Sequence, residues 1–406
     1  MGVPAKRTMT WRMMLACLLT GLLVCARPAF SEDEGVVSIV SVGPAKLLPS
    51  LNIQYRYDDN IFSQDDPTTS SAVSIIKPGL AFTISNGISE FALLYSAEQG
   101  EYESSPEDNY LEQRAAVGIH HAFRRWAILD LGAGLNQLHE ARGEAYSQGS
   151  ATALLEPDRF EVGDANAMLR LGTRRSRGMF EYQLAATQLR YVSRTDQTAG
   201  RNYDYSNGRI TYHFNLSAKT SLLAETRYGL YDYISETSSN SRDSIEQHHY
   251  LGVSWEFSEL TSGAIKVGQQ SKVFNDSTLG QDNSASWEVT MLWTPTPLTT
   301  LKMVSAGKNQ ESVGVGTHVS SRGGYLSLRH SLTRRMAIDM RTNATQNIYK
   351  PNDRVEYLGV VSMKTIFSPT EWLSFELGAE HSQRRSDQVG LDYRRNIINM
   401  GLKIGI

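Results

Sequence analysis

Beyond residue 31 the sequence has no cysteine, because Cys17 and Cys25 both fall within the first 31 residues. That excludes a disulfide framework, thiol catalysis and a thiolate metal site from the rest of the chain. Nor is there an apolar run of about 18 residues after the N-terminus, which excludes a transmembrane helix there. Gly-x-Ser-x-Gly and His-Glu-x-x-His are missing. The acidic stretches Glu101 to Asp108 and Asp276 to Asp282 match no Ca²⁺-loop spacing. No metal or other cofactor is expected.

The first 31 residues read as a cleavable signal peptide. Lys6, Arg7 and Arg12 form a basic start, Met13 to Ala26 is apolar, and Ala29-Phe30-Ser31 is a small-x-small cleavage site. Neither cysteine sits in a lipoprotein context. Without Lys6, Arg7, Arg12 and Arg27 the chain keeps 36 basic against 43 acidic residues, net −7, so a nucleic-acid partner is not expected. Residues 32–49 are expected to form a periplasmic segment and 50–406 a single domain.

Mean hydropathy is −0.34, ordinary for a soluble protein, but also for a membrane barrel whose strands alternate apolar and polar residues. Periodicity separates the two. From Ser50 onward, runs of about ten alternating residues are separated by breaks that are short and long in turn. Leu51, Ile53, Tyr55 and Tyr57 alternate with Asn52, Gln54, Arg56 and Asp58, and the first tight turn is Ser85-Asn86-Gly87. Long polar breaks follow at 63–71, 139–158, 193–202 and 235–243, among others. The pattern predicts an all-β fold, a transmembrane antiparallel up-and-down barrel of about 18 strands. Short periplasmic turns and long external loops would mark its two ends. A β-sandwich or propeller is the soluble alternative, but no blade repeat is present. Pro78 predicts a bulge or local irregularity in the second strand, and Leu301 to Ser305 and Tyr357 to Phe367 are weak enough to slip register.

The register puts Arg56, Lys77, Glu90, Glu98, Glu112, Arg114, Asp130, Arg170, Glu181, Arg209, Glu225, Arg227, Lys266, Glu288, Lys302, Arg329, Asp339, Arg341, Glu376 and Lys403 inside. In lipid each would cost several kcal/mol; in a watery lumen it would not. Trp126, Trp255, Trp293 and Trp372 fall beside short turns. Trp287 falls near the long-loop ends with Tyr102, Tyr110, Tyr191, Tyr203, Tyr231 and Tyr349. Two interfacial aromatic belts are expected from them. In the pairs His120-His121 and His248-His249 one ring faces lipid and the other the lumen, so neither pair makes a metal site.

The last eight residues, with Asn399, Gly401, Ile404 and Ile406, resemble the C-terminal assembly signal of outer-membrane barrels, Ile406 standing where an aromatic residue is usual. Near the start, Tyr57-Asp58-Asp59-Asn60-Ile61-Phe62 resembles the opening strand of an outer-membrane β-barrel porin family of about 400 residues. Some members of that family occur in exopolysaccharide or capsule export loci. The resemblance implies passage of solute or polymer through the outer membrane. Implied partners are lipopolysaccharide, the barrel-assembly machinery and a periplasmic polysaccharide-export protein.

The first expectation is a porin-like channel conducting polar solutes or exported polysaccharide, whose lumen charges form a transverse field. The second is a filled, non-conducting structural barrel that binds through its loops. The third, an outer-membrane hydrolase, would need a Ser-His pair on the lipid face near an interface.

Overall fold

The computed structural model describes residues 40–234, 242–258, 260–312 and 316–405. The expected signal peptide and Ile406 lie outside the described residues. A short strand, β1 (Val40–Val42), hairpins onto β2 (Ala45–Asp58). The wall continues through β3 (Ser71–Ser85), β4 (Ser89–Tyr102), β5 (Tyr110–Arg124), β6 (Ala127–Glu140), β7 (Asp158–Gly172) and β8 (Gly178–Tyr191). Then come β9 (Tyr203–Asn215), β10 (Thr220–Tyr233), β11 (Ser244–Ser258), β12 (Thr261–Phe274), β13 (Gln281–Thr296) and β14 (Thr299–Glu311). The last five are β15 (His318–Ser331), β16 (Met336–Lys350), β17 (Arg354–Thr370), β18 (Leu373–Ser386) and β19 (Tyr393–Gly405).

Each strand pairs antiparallel with its sequence neighbour, and β19 closes the ring on β2. The result is a closed barrel of 18 strands, β2 to β19, as the alternation predicts. Pairing between β2 and β19 starts at Ser50↔Gly405, whereas β2 already pairs with β3 from Ala45. The wall strand therefore opens five residues before the boundary expected at residue 50, and the closed ring begins at that boundary. Pro78 marks a local irregularity, a gap in the ladder, without a bulge. It sits opposite Leu51, and the β3–β4 register is the same at Ile76↔Gln99 and Gly79↔Ser96. Its missing N–H lies in the stretch where β3 skips two ladder positions with β4.

Parity holds along most of the wall. Leu251, 67 % exposed, and Leu377, 61 % exposed, point outward, while Asp58, Glu288 and Glu376 are buried on the opposite face. Strands of 13 to 17 residues exceed the roughly 9–11 needed to cross a bilayer. The surplus lies at the long-loop end, where outward positions become polar. Tyr95 donates to Gln113 (2.9 Å), Gln113 to Gln137 (3.1 Å) and Gln137 to Glu161 (3.1 Å), a ladder across β4 to β7 above the apolar band. The barrel thus projects beyond the lipid on that side.

This projection corrects the upper belt. Tyr102, Tyr110, Tyr191, Tyr203, Tyr231 and Tyr349 share parity with lumen residues and turn inward. Above the lipid a tyrosine gains nothing by facing out. Trp287 does face out, but from mid-strand, over Gly307, with Nε1 donating to Ser305 Oγ (3.3 Å). It stands between Val289 below and Asn283 above, at the upper limit of the apolar band. Trp126, Trp255, Trp293 and Trp372 lie at the short-turn end.

The two faces answer differently to charge. Leu251→Arg should lower stability in phospholipid vesicles by about 2–4 kcal/mol, measured by guanidinium unfolding followed through tryptophan fluorescence. Asn343→Arg, at an exposed lumen position, should cost well under half of that.

Candidate functional site

Strand pairing places every nominated charged residue, from Arg56 to Lys403, on the face turned away from lipid. They do not project singly. The densest group occupies the β10–β13 wall. Arg227 reaches Glu288 with two hydrogen bonds, Nη1 to Oε1 (2.7 Å) and Nη2 to Oε2 (2.8 Å), and Glu225 with Nε (2.7 Å). Lys266 Nζ contacts Glu225 (3.2 Å) and Glu288. Both carboxylates are buried at the wall, and both cations lie over the Tyr250 ring. The fork of arginine fits a carboxylate edge, which fixes the geometry as well as the charge.

Other pairs ring the lumen. Lys77 and Tyr110 hold Glu98 (2.6 and 2.9 Å), Arg114 holds Glu112 (2.5 Å), and Arg170 holds Glu181 (3.0 Å). His120 lies 2.6 Å from Asp130, Arg329 3.7 Å from Asp339 and Lys364 3.4 Å from Glu376. Arg341 is exposed to the lumen. Of the C-terminal motif, Asn399, Gly401 and Lys403 face inward and Ile404 faces lipid.

Sequence reasoning missed the upper part of this wall. Pairing of β13 with β14 stops at Trp287↔Gly307, while β14 stays paired with β15 to Glu311↔His318. Freed from β13, the top of β14 leans inward. Asn309 N donates to Gln270 Oε1 on β12 (2.9 Å), and Glu311 meets Lys272 and the Tyr233 hydroxyl (2.5 Å). Odd-numbered Asn309 and Glu311 should face out with Leu301 and Met303; the break turns them in. Residues 301–305 themselves keep their register.

The other missed feature is the 141–157 loop between β6 and β7, which bends across the mouth. Arg142 anchors its start: Nε donates to Asp108 Oδ1 (2.7 Å) and Nη2 to Ser105 Oγ (3.0 Å), with the guanidinium over Phe62. Ala151 packs on Ile61 and Phe62. Glu144 meets Arg395 of β19 (3.3 Å), and Arg354 of β17 donates to Gln148 (3.3 Å). On the other side Tyr146 lies under the Arg201 guanidinium, 3.9 Å from ring to carbon. Arg201 precedes β9, so the loop touches points eight strands apart in a ring of 18. Two glycines permit the close approach. At Gly143 (φ +87°) a Cβ would fall 1.6 Å from the Phe62 carbonyl oxygen, and at Gly149 (φ +70°) 2.7 Å from Leu391. These glycines are the one trace the crossing leaves in the sequence.

The lipid face carries a Ser-His pair, Ser89 Oγ to His121 Nδ1 at 2.8 Å. Similar pairs join Thr226 to His249 (3.0 Å) and Thr299 to His330 (2.9 Å). Among the described residues none of the three histidines has a carboxylate on its second ring nitrogen, the group that would orient a base. Recurrence on three strand pairs marks a cross-strand hydrogen bond.

Removing Arg227 leaves Lys266 as the one cation within ion-pair distance of Glu225 and Glu288 among the described residues. Arg227→Met should therefore destabilise the barrel by about 3 kcal/mol in guanidinium titration, and adding Glu288→Gln should restore part of the loss.

A search of curated proteins finds no match. Solved structures give likeness of fold. The FrpB iron transporter from Neisseria meningitidis (F5-1 variant) aligns with a TM-score of 0.50 at 7 % identity, covering 89 % of this chain and 82 % of that one. The F3-3 variant gives 0.46 at 8 % identity, and the alignment spans 84 % of this chain but 62 % of that protein's length. Pseudomonas aeruginosa OpdK with vanillate gives 0.49 at 11 % identity, covering 89 % of this chain and 99 % of that one. The family described as "Putative beta-barrel porin 2" matches residues 40–405. An 18-strand ring, an apolar exterior, a charged interior and that match together make this chain a porin-like outer-membrane β-barrel, a member of the beta-barrel porin 2 family.

Proposed function

We propose that the barrel is a gated conduit for polar solutes, with exopolysaccharide or capsular polysaccharide as its cargo. The observation that carries the reading is a loop crossing the mouth above a lumen faced by hydrophilic side chains. A ring of 18 strands is too wide for wall side chains alone to fill, so such a barrel leaves an aqueous channel unless loops occupy it. The 141–157 loop rests on contacts at its two flanks, and movement of those contacts opens the mouth. Tyrosine faces beside arginine and lysine support a saccharide cargo, since they offer a stacking surface and hydrogen-bond donors together. A periplasmic polysaccharide-export protein would feed the short-turn end, after cleavage of the signal peptide and insertion by the barrel-assembly machinery.

The crossing loop also favours a second reading, a structural barrel that binds partners through its sealed outer face and passes nothing. The two differ in planar bilayers. The conduit reading expects stable current steps from refolded residues 32–406. Replacing 144–152 with a short Gly-Ser linker should raise unitary conductance or open time severalfold. Silence from both proteins, each shown to be folded by heat-modifiable migration, would leave the structural barrel standing.

A further inference from the structure

The outward face of the upper wall treats its polar groups in two ways. On β4 to β9 they satisfy one another. Tyr95, Gln113, Gln137 and Glu161 form their ladder, and Arg190, across from Glu161, meets Asp204 at 2.5 Å. On β13 to β17 no carboxylate faces outward among the described residues. Two cations do. Lys350, at the tip of β16, meets Asp353. The other is Arg322 on β15, exposed, its guanidinium without an ion pair or hydrogen-bond partner among the described residues. Its depth is that of the lipid headgroups. A crossing takes roughly 9–11 residues, and Arg322 is the tenth residue counted up from Ser331 at the short-turn end of β15. One row below, Gly324 and Ala344 face outward, and one row above, Ile348 and Val355 do. Strand pairing sets three donors side by side in that row. Arg322 is opposite Gln346 of β16, and Gln346 is opposite Tyr357 of β17. Directly opposed side chains start about 5 Å apart, so all three can reach one bound group. Gln346 Nε2 donates to Tyr357 Oη (3.0 Å), which leaves the tyrosine proton and the second amide hydrogen to donate outward. On the other side Arg322 is opposite Gly307, where the Trp287 ring occupies the space a side chain would take. Arg385, opposite Tyr357, stands one residue below the top of β18 with Asp387 just beyond it, outside the site.

An arginine at the membrane surface with no protein anion in reach is stabilised by a lipid anion. We propose that Arg322, Gln346 and Tyr357 bind the phosphate group of an outer-leaflet glycolipid, with the Trp287 ring as the side wall and the glycolipid's acyl chains on the apolar band below. Charge complementarity selects this occupant. The guanidinium fork pairs with two phosphate oxygens, and the amide and phenol donate to the remaining one. A neutral lipid has no group for the fork, and a free anion lacks the acyl chains that hold a headgroup at this depth. The site lies outside the lumen and stands whether or not the barrel conducts.

The test is native mass spectrometry of the refolded barrel in a nonionic detergent, titrated with bisphosphorylated lipid A and with the same lipid after enzymatic dephosphorylation. The intact lipid should bind about tenfold more tightly than the dephosphorylated one, as hydrogen bonds to a charged group imply. Arg322→Gln should remove most of that preference. Arg322→Lys, which keeps the charge and loses the fork, should remove part of it. Both variants should keep the thermal stability of the wild type, because Arg322 supports no carboxylate. Arg385→Gln should discriminate between the lipids as the wild type does. Equal discrimination by wild type and Arg322→Gln would overturn the proposal. So would an equal loss in Arg385→Gln, the mark of diffuse surface charge rather than a site. Displacement of the bound lipid by inorganic phosphate would replace the lipid site with one for free anions.

Discussion

The pairing of β19 with β2, from Ile397↔Asp58 to Gly405↔Ser50, removes the last sheet edge. In hydrocarbon an unpaired backbone N–H or C=O has no water to turn to, so only a closed ladder can stand there. Closure then fixes everything else about the wall. Each strand has one lipid face and one lumen face, and side chains must sort between them with a period of two. An open edge would relieve that constraint and lose the reason for the alternation.

Once the wall is closed, the lumen has its own electrostatics. Short carboxylates lie against the wall, and longer arginine and lysine side chains reach over them, as Arg227 does in spanning from β10 to Glu288 on β13. Glu112 and Asp339 are buried, whereas Lys77, Arg114 and Arg329 keep a third or more of their side chains exposed. Formal charge can balance around the ring while the surface that a solute meets is richer in cations. The crossing loop adds the second control. Its charged anchors are Arg142 on Asp108 of the β4–β5 loop and Glu144 on Arg395 of β19, so mouth and wall are coupled through single residues.

The sequence made the wall legible because a period of two survives local irregularity. Short breaks alternate with long ones, and Leu51, Ile53 and Tyr55 already separate from Asn52, Gln54 and Arg56. Three things were not legible. The inward lean of β14 depends on lost pairing with β13, which no residue in 299–311 announces. The tyrosines at the loop ends, Tyr203, Tyr231 and Tyr349 among them, were assigned to lipid because strand ends were equated with the membrane boundary. The strands are longer than the bilayer is thick, and the boundary falls lower, near Trp287. The loop crossing depends on contacts between residues far apart in the chain, such as Gln148 with Arg354, and only Gly143 and Gly149 hint at it. Charge partnership was hidden for the same reason: Arg227 on β10 finds Glu288 on β13, three strands away, and nothing in the sequence around either residue points to the other.

Because no cysteine follows residue 31, single cysteines can report on each surface without background. The most direct measurement is reaction of Asn343→Cys and Leu251→Cys barrels, reconstituted in vesicles, with hydrophilic maleimides of increasing size. A watery lumen beneath a crossing loop predicts that Asn343→Cys reacts with the small reagent and resists the bulky one until residues 144–152 are shortened, while Leu251→Cys stays inert to both. An inert Asn343→Cys with a reactive Leu251→Cys would contradict the assignment of faces, and equal reaction of Asn343→Cys with every size in the intact barrel would contradict the covered mouth.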